Sequence, residues 1–124
     1  MGFIEEKLKQ RGRLKVAAAI LVYTAALSWY TVSKHNSFST YAWDLGIFHQ
    51  SFWTTVNRGM IFYNTCEQHL VESGSFFGVH FSPILFLLVP FYYIHQSPVT
   101  LLVLQSLILG LSAYPLYLIA KTRL

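Results

Sequence analysis

The sequence is short of charge. Lys, Arg, Asp and Glu make up 11% of its 124 residues, where a soluble domain carries about a quarter. Hydrophobic residues make up 54% and the mean hydropathy is +0.45. Such a chain lacks the polar side chains to cover its own surface in water, so a membrane class leads and one domain at most fits the length. Acids are scarcest: Asp and Glu together number 5, and Asp44 is the single aspartate. Cys66 is the single cysteine, which excludes an internal disulfide. There is no glycine-rich phosphate loop, no serine-nucleophile elbow and no HExxH pair, so nucleotide, serine-hydrolase and zinc-protease chemistry have no motif to rest on.

The formal charge of +4 does not point to nucleic acid. Lys7, Lys9, Arg11, Arg13 and Lys15 all precede the first apolar segment, and no basic-and-aromatic stripe suited to bases follows them. Cations in that position are the positive-inside signal of a cytoplasmic flank, residues 1–15. The next stretch, "VAAAILVYTAALSWYTV" (16–32), holds no charge, Gly or Pro and approaches the roughly 20 residues that span hydrocarbon. A signal peptide has a shorter apolar core and a small-residue cleavage site. Here Trp29 and Tyr30 close the segment and suit the headgroup belt, which favours a retained first span.

Two further apolar segments follow. "FSPILFLLVPFYYI" reads as a short second span over 80–94, tilted or thinning the bilayer, with a re-entrant segment as the alternative. "HQSP" turns the chain into a third span over 98–120. Pro98 suits a first helical turn, Pro115 predicts a kink, and Gln105 is expected to bond a neighbouring helix. The fold class is therefore an all-α membrane protein with three transmembrane helices, multi-pass in the cell membrane. Its N-terminus is cytoplasmic and its loop, residues 33–79, external. One feature resists that arrangement: it puts the cations of "KTRL" outside.

The loop is too long for a structureless connection. Read as a helix over 41–57, it aligns Leu45, Phe48, Phe52 and Val56 on one stripe. Ser39 or Thr40 is positioned to cap its start and Gly59 to end it. Such a helix would lie on the membrane surface, apolar face down. A second short helix is expected over 64–73, before "SGS".

Asp44 falls in the first turn of that helix, where exposed N–H groups and the dipole favour a carboxylate. That placement alone reads as helix stabilisation, with a functional acid as the alternative. His80, one turn before Pro83, is a weaker candidate, equally a plain interfacial histidine. His49, Glu67, His69 and Glu72 are the remaining candidates in the loop. No cofactor is identified. "CEQH" offers Cys66 and His69, but a structural zinc site needs four fixed ligands at recognisable spacing, so ligand spacing does not support a divalent metal.

"YAWDLGIFHQSFWTTVNRG" and "HFSPILFLLVPFYYIHQSPVTLLVLQSLILGLSAYPLYLIAK" together resemble the N-terminal part of domain-of-unknown-function family 2079, largely archaeal membrane proteins. The resemblance covers residues 40–124 through two motifs, "DLGIF.Q..W" and "HFSPIL..L.P.Y". His49 stands where members commonly carry a second acid. That family is in turn distantly similar to the C-superfamily membrane glycosyltransferases. The resemblance implies a cytoplasmic start, an external loop with membrane-parallel helices, and polyprenyl-phosphate-linked sugar as donor. It also implies a role for Asp44 as base on the acceptor, as electrostatic anchor or in positioning a metal, with His80 at the entry to the second helix. The expected function is a module of such a transferase, inactive alone. Its partners would be membrane lipids and further transmembrane helices, from another chain or a missing C-terminal part. The alternative is a non-catalytic small membrane protein stabilising a larger complex.

Overall fold

Strong helix formers in the basic flank carry the first helix past its apolar segment. Lys, Arg, Gln and Leu all favour helix, so no residue stops the turn at the polar boundary. The computed structural model describes residues 2–123, with the side chains of 2–9, 42 and 123 outside the description, so Lys7, Lys9 and Arg123 are not characterised there. The first helix, α1, runs Gly2–Asn36. Its end is closed by Ser39 N–H donating to Lys34 O at 2.9 Å and Phe38 N–H to His35 O at 3.0 Å. This pair of bonds is a Schellman closure, whose left-handed residue is usually glycine. Phe38 occupies it at φ +55° and is 95% exposed.

The helix expected over 41–57 is α2, Ala42–Arg58, ended by Gly59 at φ +64° as its sequence requires. Its start differs from expectation. Tyr41 is the N-cap residue and no side chain caps it. Thr40 Oγ1 pairs instead with His35 Nδ1 at 3.2 Å, and Ser37 Oγ donates to Ser39 Oγ.

No helix forms over 64–73; that stretch is turns, and a one-turn helix α3, Phe76–Val79, follows. The side chain of Asn64 explains the difference: its Oδ1 accepts from Glu67 N–H at 3.0 Å. Local side-chain bonding of this kind offers the backbone a turn in place of a helix. Gly74, at φ +60°, then lets the chain double back so that Asn64 N–H reaches Gly74 O at 2.9 Å.

The middle apolar segment is likewise not one helix. Residues Pro83–Leu87 form a 3-10 helix and Val89–Ile94 a short α4. Together they rise about 20 Å, short of the roughly 30 Å hydrocarbon core. Pro90 carries no N–H to continue a ladder from the preceding segment. The last apolar segment is α5, Pro98–Leu111, and α6, Ala113–Arg123. Ser97 Oγ accepts from Val99 N–H to cap α5. The interruption at Ser112 lies just before Pro115, whose ring excludes the carbonyl four residues back.

Among the described residues two helices are long and apolar enough to cross a membrane, Gln10–Asn36 and Pro98–Thr122. The all-helical architecture holds, with no strand among the described residues beyond one isolated bridge, Tyr63 to Ser75.

The chain divides into two compact units, residues 34–101 and residues 1–33 with 102–124. In the second of these, Leu102, Ser106 and Gly110 share the buried face of α5. A Cβ on Gly110 would stand 2.5 Å from Thr24 Oγ1 and 3.4 Å from Ile20 O, and one on Gly12 would stand 2.5 Å from Tyr117 Oη. Glycine at such a crossing lets backbones approach closely. The early residue of α1 meets the late residue of the pair α5–α6, and the later residues meet the earlier, so the two run antiparallel.

Unit 34–101 has a core of rings. Ile47, Phe52, Phe62, Phe76 and Tyr92 are buried together, with Phe48, Val56, Phe77, Leu85 and Leu88 packed around them. Phe62 meets Phe52 edge-on at 5.2 Å and stacks on Phe77 at 4.8 Å. It holds φ +45°, an uncommon state for a bulky residue. Its N–H donates to Thr55 Oγ1 at 2.8 Å and its carbonyl accepts from Phe76 N–H at 2.8 Å. Phe48, Phe52 and Val56 of the expected stripe therefore pack into this core, while Leu45 lines a separate cavity.

Candidate functional site

The polar residues of α2 fix the turns that build the site. Thr54 Oγ1 donates to Tyr63 O at 2.7 Å, and Gln50 Oε1 accepts from Thr65 N–H at 3.1 Å. Asn64, fully buried, sends Nδ2–H to Glu67 Oε2 at 2.7 Å and lies 3.4 Å from Ser51 Oγ. Its amide thus grips Glu67 twice, by the side chain and by the backbone N–H.

Glu67 is 6% exposed. Its other oxygen, Oε1, lies 3.9 Å from Nε2 of His80. The imidazole is held over Phe76, ring centroids 5.1 Å apart, and His80 N–H donates to Phe76 O at 2.7 Å. Asp44 comes from the first turn of α2. A cleft of about 380 Å³ is lined by Asp44, Glu67 and His80 with Trp43, Ile47, Phe48, Phe76 and Ser82. No hydrogen bond or ion pair engages the Asp44 carboxylate among the described residues. It is exposed and therefore free to accept a proton or a hydroxyl donor.

The structure thus brings together three groups that stand far apart in sequence. It does not bring in His69 or Glu72, both exposed, and Cys66 packs against the ring core instead. No three His, Cys, Asp or Glu side chains among the described residues come close enough to share a metal ion. His49 faces elsewhere. Its Nδ1 lies 2.8 Å from the Tyr92 hydroxyl, and burial, with His35 nearby, holds it below the ordinary imidazole range.

A family model described as "Predicted membrane protein (DUF2079)" matches residues 34–124. The chain belongs to that family. The match begins at the first residue of unit 34–101 and continues to the end of the sequence. With two apolar helices of crossing length, membership makes this a membrane protein. No curated protein and no solved structure matches.

Proposed function

We propose that the chain is a module of a membrane glycosyltransferase that takes its sugar from a polyprenyl phosphate, with the Asp44–Glu67–His80 cleft as the acceptor site. The observation that carries this reading is the convergence of the three groups on one cleft, in a loop joined to a membrane span at each end. Asp44, unpaired, accepts the proton of an acceptor hydroxyl as that oxygen attacks the anomeric carbon. The bond from that carbon to the phosphate oxygen breaks, and polyprenyl phosphate leaves with the electron pair. Glu67, clamped by Asn64, orients His80, whose ring lies at the cleft for a second acceptor hydroxyl. Further transmembrane helices are part of the proposal, because two spans cannot enclose a path for a lipid-linked sugar.

The same proposal has two crossings, with the N-terminus in the cytoplasm. The antiparallel run of α1 against α5–α6 supports it, since first and third spans of a three-span chain would run parallel. So do the cations, because Arg11, Arg13 and Lys15 then share a side with Lys121 and Arg123. Residues 83–94 remain on the outer side as an in-plane or re-entrant element.

The test is replacement of the chain at its own locus by Asp44→Asn, followed by transfer of labelled sugar from the polyprenyl-phosphate pool in isolated native membranes. Transfer falls on the order of 100-fold or more if Asp44 is the base. Unchanged transfer at unchanged protein level assigns the chain to the alternative, a non-catalytic subunit of a larger complex.

A further inference from the structure

A second cavity lies on the opposite side of α2 from the carboxylate cleft. Leu45, Gly46 and His49 face it, whereas Asp44, Ile47 and Phe48 face the cleft; at 100° per residue these sets occupy opposite arcs of the helix. The cavity holds about 440 Å³. His35 and His49 supply two imidazoles, and Phe38, Tyr41 and Leu45 supply apolar walls.

Both rings have the same nitrogen occupied. His35 Nδ1 pairs with Thr40 Oγ1 at 3.2 Å, and His49 Nδ1 with the Tyr92 hydroxyl at 2.8 Å. With Nδ1 paired to a hydroxyl, Nε2 is the atom that remains for a ligand, and it donates when the hydroxyl gives its proton to Nδ1 or when the ring is protonated. The titratable groups around His49 are His35 at the end of α1, Tyr41 in the connecting turn and Tyr92 on α4. None of the described lining residues is a carboxylate. Two neighbouring imidazoles without an acid disfavour each other's protonation, and an anion between them favours it. The depressed proton affinity of His49, caused by burial and then by His35, is the cost that such an anion would offset.

The depth of the cavity indicates where the anion resides. His35 and Asn36 are the last residues of one candidate span and Pro98 is the first of the other, so a bilayer crossed by both would hold the cavity near the level of its phosphates. Its rim carries Phe38 and Tyr41, 95% and 91% exposed, ring types suited to that layer. Phe38 is held there in the left-handed conformation of the α1 closure, a strained placement of the kind that accompanies function.

We infer that this cavity binds the phosphate group of an anionic membrane amphiphile, with His35 and His49 donating to the phosphate and Phe38, Tyr41 and Leu45 covering the first carbons of its chain. The inference is independent of the glycosyl-transfer reading, since it uses neither Asp44 nor Glu67.

Gly46 makes it testable. Nothing lies within 4 Å of where a Cβ on Gly46 would stand, so Gly46→Leu fills the cavity without entering the core. The full chain, labelled at the histidine rings, is titrated by NMR in dodecyl maltoside micelles, which carry no phosphate, with and without phosphatidic acid. His95, exposed and outside the cavity, reports the surface potential of the micelle. Phosphatidic acid is expected to raise the pKa of His35 and His49 by about one unit or more beyond the His95 shift. In Gly46→Leu, with helix content unchanged by circular dichroism, the excess disappears; His35→Asn should remove it from His49 as a second variant. Inorganic phosphate alone giving the selective shift would support the phosphate site and assign its source to the aqueous phase. All three histidines moving together, or an excess that survives Gly46→Leu, would overturn the inference.

Discussion

Asn64 holds Glu67 at two points, Nδ2–H to Oε2 at 2.7 Å and Oδ1 from the backbone N–H at 3.0 Å, and so aims the free oxygen Oε1 at His80. One buried amide thereby decides both the course of the 64–73 turns and the position of a buried carboxylate at the cleft.

Removing that amide should loosen the whole turn. Asn64→Ala leaves a buried carboxylate oxygen and a buried N–H without partners, at a cost of about 1–3 kcal/mol each. Cys66, partly buried against the ring core, sits inside the affected turn. Its labelling by a thiol reagent under native conditions is expected to accelerate at least tenfold in Asn64→Ala. An unchanged rate would mean that the ring core alone holds the turn.

Stability of unit 34–101 should rise with pH through the histidine range because of His49. Burial and then His35 place its folded pKa below the unfolded value of about 6.5. Between the two values the unfolded chain binds more protons, so stability increases with pH there. The contribution is complete above about pH 6.5 and is lost as pH falls through the folded pKa. Urea midpoints followed by tryptophan fluorescence should show this slope in the natural chain and a flatter one in His49→Gln.

The helix pair of the other unit should not tolerate a single methyl at Gly110. A Cβ there stands 2.5 Å from Thr24 Oγ1, an atom one bond from a stiff β-branched centre. Gly110→Ala is expected to separate the pair, and Thr24→Ala in the same chain to restore it. Thr24 Oγ1 is buried without a hydrogen-bond partner among the described residues, so its removal sacrifices no bond. Cross-linking of cysteines placed at Gly12 and Tyr117 by a short bifunctional thiol reagent reads the outcome, because the Tyr117 ring spans the gap to Gly12, with Cys66 replaced by serine.

Two crossings and three make opposite statements about Gln96. Three spans would put it in the cytoplasm, opposite Cys66; two would put both on the same face. An impermeant thiol reagent on intact cells should therefore label Gln96→Cys and loop controls such as Glu72→Cys alike. Labelling of Gln96→Cys only by a permeant reagent would restore a crossing at 80–94.

The parts that were legible in the sequence are those governed by local periodicity and by stop signals. The observed α2 begins and ends one residue later than the expected 41–57, and Gly59 ends it. The outer apolar segments are helical, and Ser112 interrupts the last just ahead of Pro115. Polar runs read less well, because Asn64 redirects residues 64–73 through a bond between its side chain and a backbone N–H that composition does not reveal. The middle segment departs from the expected single helix for a different reason. Its Leu85, Leu88, Val89 and Tyr92 serve a protein core while Ile84, Leu87 and Ile94 stay exposed, so it is apolar on both faces although it breaks into two short helices. Asp44, Glu67 and His80 were all visible as candidates, but their meeting depends on Phe76 and Asn64 folding the loop back onto α2. No spacing rule encodes that.

The close approach of Gly110 to Thr24 also bears on how a loop with one cysteine keeps its fold. Every residue of unit 34–101 lies between those two contact points, so the helix pairing closes the chain into a ring. A covalent cross-link closing a loop of about 100 residues stabilises by roughly 4–5 kcal/mol, chiefly by restricting the unfolded chain. The bilayer, by keeping the two helices side by side, supplies a restraint of the same kind without a sulfur bond. On this view extraction into a detergent that parts the helices acts on the loop as reduction acts on a secreted domain.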